Sequence, residues 1–198
     1  MLILAASLIV FGIWFSTTNA YTLMKGYALY KYGYAGTAAE ELVENQIPQD
    51  EVPVSQDLPL YSVKPEVGEE IGSLKIPKLN ATLPIYHGTD EDELEKGVGH
   101  YAGSVLPGEK DNSVLSGHRD TVFRDLGQVG ENDLLVVKTS AGEFTYKVKR
   151  VRIVDEDDRT VIVPKPRATL TVSTCYPFNF IGSAPERYIL EAVLISTK

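Results

Sequence analysis

Cys175 is the only cysteine in the chain, and only His87, His100 and His118 carry imidazoles. A lone thiol makes no intramolecular disulfide, and with three histidines as its only companions a zinc site is hard to build. The chemistry left to it is nucleophilic. A thiolate favoured by a nearby cation can attack an acyl carbon, and an imidazolium can then protonate the departing amine. Eleven residues, YPFNFIGSAPE, separate Cys175 from Arg187, with Pro177, Gly182 and Pro185 among them. If the strands flanking this loop pair as antiparallel neighbours, the thiol and the guanidinium fork meet at one end of a sheet. His118 follows a short apolar run in NSVLSGHRDT, which places it on a turn that can reach the same end. Cys, His and Arg together suffice for acyl transfer. A surface turn histidine is the competing reading of His118, and it is the preferred one for His87 in YHGT and His100 in GHYAG.

Such a site needs a rigid scaffold, and beyond Gly68 the apolar residues come in short runs separated by turn chemistry. The runs are 73–79, 82–86, 112–118, 133–139, 143–154, 160–163, 168–175 and 187–196. About eight strands at this spacing predict an all-β domain with short helices, either a barrel or a sandwich. In 168–175 the side chains of Leu170, Val172 and Thr174 share one face of the strand, and Thr171, Ser173 and Cys175 the other. The thiol therefore leaves the apolar face at the end of its strand. In 143–154 the apolar phase switches after Val148, which predicts a bulge near Lys149 or Arg150. Helical candidates are limited to 90–102 and to 120–128, the latter with Asp120 as N-cap.

Ahead of this domain the sequence has a different character. No charge interrupts the stretch from Leu2 to Met24, and about 20 such residues span the hydrocarbon core of a bilayer. Tyr21, Tyr27, Tyr30, Tyr32 and Tyr34 crowd the region just beyond it, where amphipathic rings favour the membrane boundary. Residues 1–24 read as a retained transmembrane helix. The alternative is a cleaved signal peptide ending near Thr18, Asn19 and Ala20. The charges are at odds with export, since Lys25 and Lys31 follow the run and no basic residue precedes it. Residues 25–66 read as a juxtamembrane helix over 36–45 and a linker whose 46–66 stretch holds four prolines, and residues 67–198 as an independent domain. A net charge of −8 with no basic run leaves no footprint for a phosphate backbone, which excludes nucleic acid as a partner.

The wording of three segments is more specific than any of these signals alone. SVLSGHRDTVFRDL, TLTVSTCYPF and ERYIL, spaced as they are here, closely resemble the sortases, membrane-anchored cysteine transpeptidases of Gram-positive bacteria with a TLxTC motif, a downstream Arg and an upstream His. The resemblance runs over roughly residues 70–198. The stretch GHYAGSVLPGEKDNSVLSGHRDT and the compact length look like class D, and 46–66 has no aromatic-acidic lid motif of the class C kind. One position departs from the pattern, Val172 standing where TLxTC has Leu.

The resemblance implies a closed eight-stranded β-barrel behind a single membrane span, with the catalytic domain on the extracytoplasmic side of the cell membrane. It implies a Cys175 thiolate that attacks the Thr carbonyl of an LPxTG-like sorting signal on a secreted protein, giving a thioacyl enzyme. His118 would move the protons, and Arg187 would hold the substrate backbone or the oxyanion. The acceptor would be an amine of a peptidoglycan precursor, and no cofactor or metal is called for. Thr174 would help position the substrate. The segment 152–168 looks like the one that shapes the substrate groove, with Val161, Ile162 and Val163 as an apolar wall; a plain core strand at 160–163 is the equal alternative. The acidic run 90–95 reads as a solvated helix face rather than a cation loop. The rival classes are another Cys/His cell-wall peptidase or an L,D-transpeptidase, and a non-enzymatic adhesion domain.

Overall fold

The computed structural model describes residues 59–179 and 184–198, together with Phe11, Gly12, Trp14, Thr17, Ala20, Tyr21 and Met24. Those seven are helical, and no described helix is long and apolar enough to cross a membrane. The rest of the anchor at 1–24, and the juxtamembrane segment and linker through residue 58, lie outside the described residues.

Eight strands follow one another in the domain: β1 (Glu70–Ile76), β2 (Ala81–His87), β3 (Val98–His100), β4 (Asn112–Ser116), β5 (Leu134–Thr139), β6 (Gly142–Asp155), β7 (Thr169–Tyr176) and β8 (Glu186–Thr197). They close into a barrel in the order β1-β2-β3-β4-β7-β8-β6-β5. The pairs β2/β3 and β4/β7 are parallel and the others antiparallel. Closure resolves the choice between barrel and sandwich, and it follows from alternation: Leu74, Ile76, Leu83, Ile85, Leu135, Val137, Leu170, Val172 and Leu190 all turn inward and are almost fully buried. The longest strand, β6, keeps its inward set through a shift of register between Val148 and Arg150. The extra residue Lys149 flips the phase as the sequence predicts, so that Val151 packs against the core while Ile153 stays exposed.

Three local expectations give way. The predicted helix over 90–102 is a single turn, α1 (Glu91–Leu94), closed by a capping box between Asp90 and Glu93, and Val98–His100 beyond it becomes a strand. The stretch 120–128 holds only turns and a 3₁₀ segment at Leu126–Gln128, so Asp120 caps no helix. The apolar run 160–163 is not a strand: it belongs to the loop between β6 and β7. Two of its carbonyls are met by the side chain of Asn112 instead of a neighbouring strand.

Candidate active site

Strands β7 and β8 are antiparallel, and in their register Cys175 is the Cα partner of Arg187. Both side chains are partly exposed at one rim of the barrel. The thiol is unpaired with any other sulfur. Arg187 donates from one terminal nitrogen to the carbonyls of Ala184 (2.8 Å) and Glu186 (3.0 Å), and from the other to Oε2 of Glu156 (3.0 Å). Among the described residues these bonds take three of the guanidinium's five N–H groups.

His118 arrives from the other side of β7. Strand β4 runs parallel to β7 with Ser116 opposite Ser173, and the Gly117 amide still reaches the Ser173 carbonyl at 3.3 Å. The next residue is His118, so the turn leaves β4 at the level where β7 reaches Cys175. Gly117 is required there by close approach, since a Cβ would stand 2.7 Å from the Phe123 ring. Thr174 holds this turn to β7. Its side chain is 3% exposed on the inner face of the barrel, and its hydroxyl donates to the Gly117 carbonyl at 2.7 Å. That bond makes Thr174 a tether for the histidine turn. The Nε2 of His118 lies 3.4 Å from Oε1 of Glu91 at the start of α1. The acidic run is thus more than a solvated face: Glu91 meets His118, and Glu93 is buried.

One residue of the site left no recognisable mark in the sequence. Arg119 is only 5% exposed, pairs with the carboxylate of Asp120 at 3.1 Å, and donates to the carbonyl of Pro177 at 2.8 Å. It therefore ties the residue after His118 to the second residue after Cys175, where the Tyr176–Pro177 peptide is cis. An arginine in a polar turn ordinarily reads as solvent-exposed, and only the fold reveals that this one is enclosed.

The wall residues are divided. Ile162 is more than half exposed, Val163 partly exposed, and Val161 is buried at 6%. Ile162 and Val163 line a cleft of about 350 Å³ with Ala102, Val105, Asn112 and Pro164. The two remaining histidines end β2 and β3, and neither is a simple surface turn residue. His100 is fully buried on β3, its Nε2 2.9 Å from the Val105 carbonyl and its Nδ1 3.0 Å from Nδ1 of His87. Burial pulls the pKa of His100 down to about 4, and that of His87 also falls for the same reason. Among the described residues no group of three or more His, Cys, Asp or Glu side chains is arranged to hold a metal ion.

Comparison with known proteins gives a consistent result. A family model described as "Sortase domain" matches residues 74–195. Sortase D of Bacillus subtilis (strain 168) is 52% identical over 130 residues, which cover 65% of this chain and 66% of that protein, just under two thirds of its length. The catalytic domain of Bacillus anthracis SrtD is 43% identical with a TM-score of 0.59, covering 72% of this chain and 98% of the domain. A Sortase D5 transpeptidase of Clostridium perfringens is 27% identical with a TM-score of 0.61, covering 67% of this chain and 83% of the other.

Proposed function

The chain belongs to the sortase family, and on that footing we propose that it is a membrane-anchored, class D cysteine transpeptidase with its catalytic domain on the extracytoplasmic side. The observation that carries this reading is the meeting of Cys175, Arg187 and the His118 turn at one rim of the barrel. In the first half-reaction the Cys175 thiolate attacks the Thr carbonyl carbon of an LPxTG-like sorting signal. The C–S bond forms, the Thr–Gly C–N bond breaks, and His118 gives its proton to the departing glycine amine. In the second, neutral His118 takes a proton from the amine of a peptidoglycan precursor, which attacks the thioester and releases the thiolate. One amide is exchanged for another, with no redox step and no cofactor.

Arg187 is suited to the oxyanion because it is the cross-strand partner of Cys175 and keeps two N–H groups not engaged by described residues, and a donor held near the reacting carbon stabilises charge as it develops. Ile162 and Val163 offer apolar surface to the part of the signal that precedes the scissile bond. Thr174 supports the reaction through the histidine turn.

The test is incubation with a small set of LPxTG-like peptides, with and without an added primary amine. Cleavage that becomes transfer when amine is present, and is lost in Cys175→Ala, is the expected result. Hydrolysis indifferent to amine would indicate a peptidase, and no reaction of Cys175 with any peptide would remove the enzymatic reading.

A further inference from the structure

The loop between β6 and β7 carries the exposed Ile162, yet it contributes no strand to the barrel. A loop of this length that projects beside a rim needs something to fix its height. Asn112, the first residue of β4, supplies it. Its side chain is 5% exposed, and its amide nitrogen lies 3.2 Å from the carbonyls of both Val161 and Val163. Its amide oxygen accepts the hydroxyl of Thr171, also buried, at 2.7 Å. Every polar atom of the amide is used, and the residues it brackets are the two flanking Ile162. The neighbouring Asp111 adds a second hold, its carboxylate accepting the Lys165 amide at 2.6 Å.

Thr171 sits on the same face of β7 as Cys175, four residues upstream, or about 13 Å along the strand. An extended peptide bound with its scissile carbonyl at Cys175 covers about 10 Å in three residues. For a peptide that runs back along β7 from Cys175 toward Thr171, the side chain three residues before the scissile carbonyl, the Leu of an LPxT segment, comes near the level that Asn112 and Thr171 set for Ile162. We propose that Asn112 is a positioning residue which, through Thr171, references the Ile162 wall to the nucleophile strand and so sets the enzyme's preference at that substrate position. This rests on the transpeptidase reading above. Only an amide can hold both sides at once. A carboxylate at position 112 would face two carbonyl oxygens with no hydrogen to offer, and an aliphatic side chain would leave three buried polar groups unpaired.

The experiment compares wild type with Asn112→Asp, Thr171→Val and Thr171→Ser in the full-length protein. Peptide cleavage is measured on substrates with Leu, Met, Val or Ala at the position in question. Cys175 alkylation by iodoacetamide and amide hydrogen exchange over 161–165 are measured alongside. The expected result for Asn112→Asp and Thr171→Val is KM raised about tenfold on the Leu peptide, with kcat changed less than threefold. Leu-over-Ala discrimination shrinks, alkylation stays within twofold of wild type, and exchange in 161–165 is faster. Thr171→Ser, which keeps the hydroxyl, restores all of these. A structural defect alone would lower kcat and disturb alkylation, and that outcome overturns the proposal. So does unchanged exchange in the loop, or faster exchange with unaltered discrimination. If wild type cleaves no peptide, the transpeptidase reading fails, and the substrate role proposed for Asn112 falls with it, whatever the loop exchange shows.

Discussion

Cys175 and Arg187 are cross-strand partners on antiparallel β7 and β8, so their separation is fixed by ladder register and not by the loop that joins them. The eleven residues between them can vary in shape without moving either Cα, because each is held by its own strand. Lysine at 187 preserves the charge near the thiol but not the planar fork that already spans Ala184, Glu186 and Glu156. Arg187→Lys is therefore expected to lose on the order of 10²-fold in cleavage rate, the usual cost of one oxyanion donor, while the pH dependence of Cys175 alkylation changes little. Near wild-type cleavage in the lysine enzyme would restrict Arg187 to a purely electrostatic part.

The histidines separate by location. His118→Ala should abolish peptide cleavage with little change in melting temperature, since the side chain is partly exposed and its partner Glu91 is largely in solvent. His100→Ala should do the reverse, costing about 2 kcal/mol of stability by stranding the Val105 carbonyl and the His87 ring. Activity and thermal melts of the two variants, taken together, check this; an inactive but fully stable His100→Ala would transfer the acid/base role to the buried histidine.

Acid should loosen the fold in a defined window. The Nε2–H of His100 donates to Val105, so the neutral ring accepts at Nδ1 from His87, and a proton added there is met only if His87 moves its own proton to Nε2. The folded protein resists that proton until about pH 4, whereas the unfolded chain takes it up near the ordinary value of 6.5. Because the unfolded state binds the proton first, stability declines as pH falls from about 6.5 to about 4, by about 3 kcal/mol in all. His87, shifted in the same direction, adds to the decline. Asp133 and Asp158, held below the usual carboxylate range by hydrogen bonds, lose their contribution only at lower pH. Melting curves of wild type and His100→Gln across this range give the measurement, and the variant's profile should be markedly flatter.

Arg119 couples the two halves of the site. Arg119→Met keeps the buried stem but removes the bond to Pro177 and the pairing with Asp120. Losing register between the histidine turn and the thiol strand should lower kcat by roughly 10- to 100-fold with KM nearly constant. Steady-state kinetics on one good peptide would reveal it, and a change confined to KM would count against the assignment.

What the sequence disclosed was whatever obeys a local period. Alternation in 168–175 put Cys175 on the face opposite Leu170 and Val172, and the phase break in 143–154 located the bulge at Lys149. The features that escaped it depend on distant partners. Val161–Val163 look like a strand because their side chains are β-branched, but Asn112, some fifty residues earlier, takes the carbonyls that a ladder would have used. His100 stands in GHYAG, which reads as a loop, and becomes core only because β3 is wedged between β2 and β4. Thr174 stands on the inner face by the same alternation that turns Cys175 outward, but its bond to the Gly117 carbonyl joins residues 57 apart and has no local signal.

Closure of the barrel has a consequence for how a peptide can be held. From Thr169 to Ser173, β7 is hydrogen-bonded to β4 on one side and β8 on the other. No unpaired edge runs along that stretch of the nucleophile strand, and the grip by strand addition that many peptide-binding domains use is closed to it. A peptide lying over that stretch would be met by side chains and loops around the sheet, not by a free strand edge.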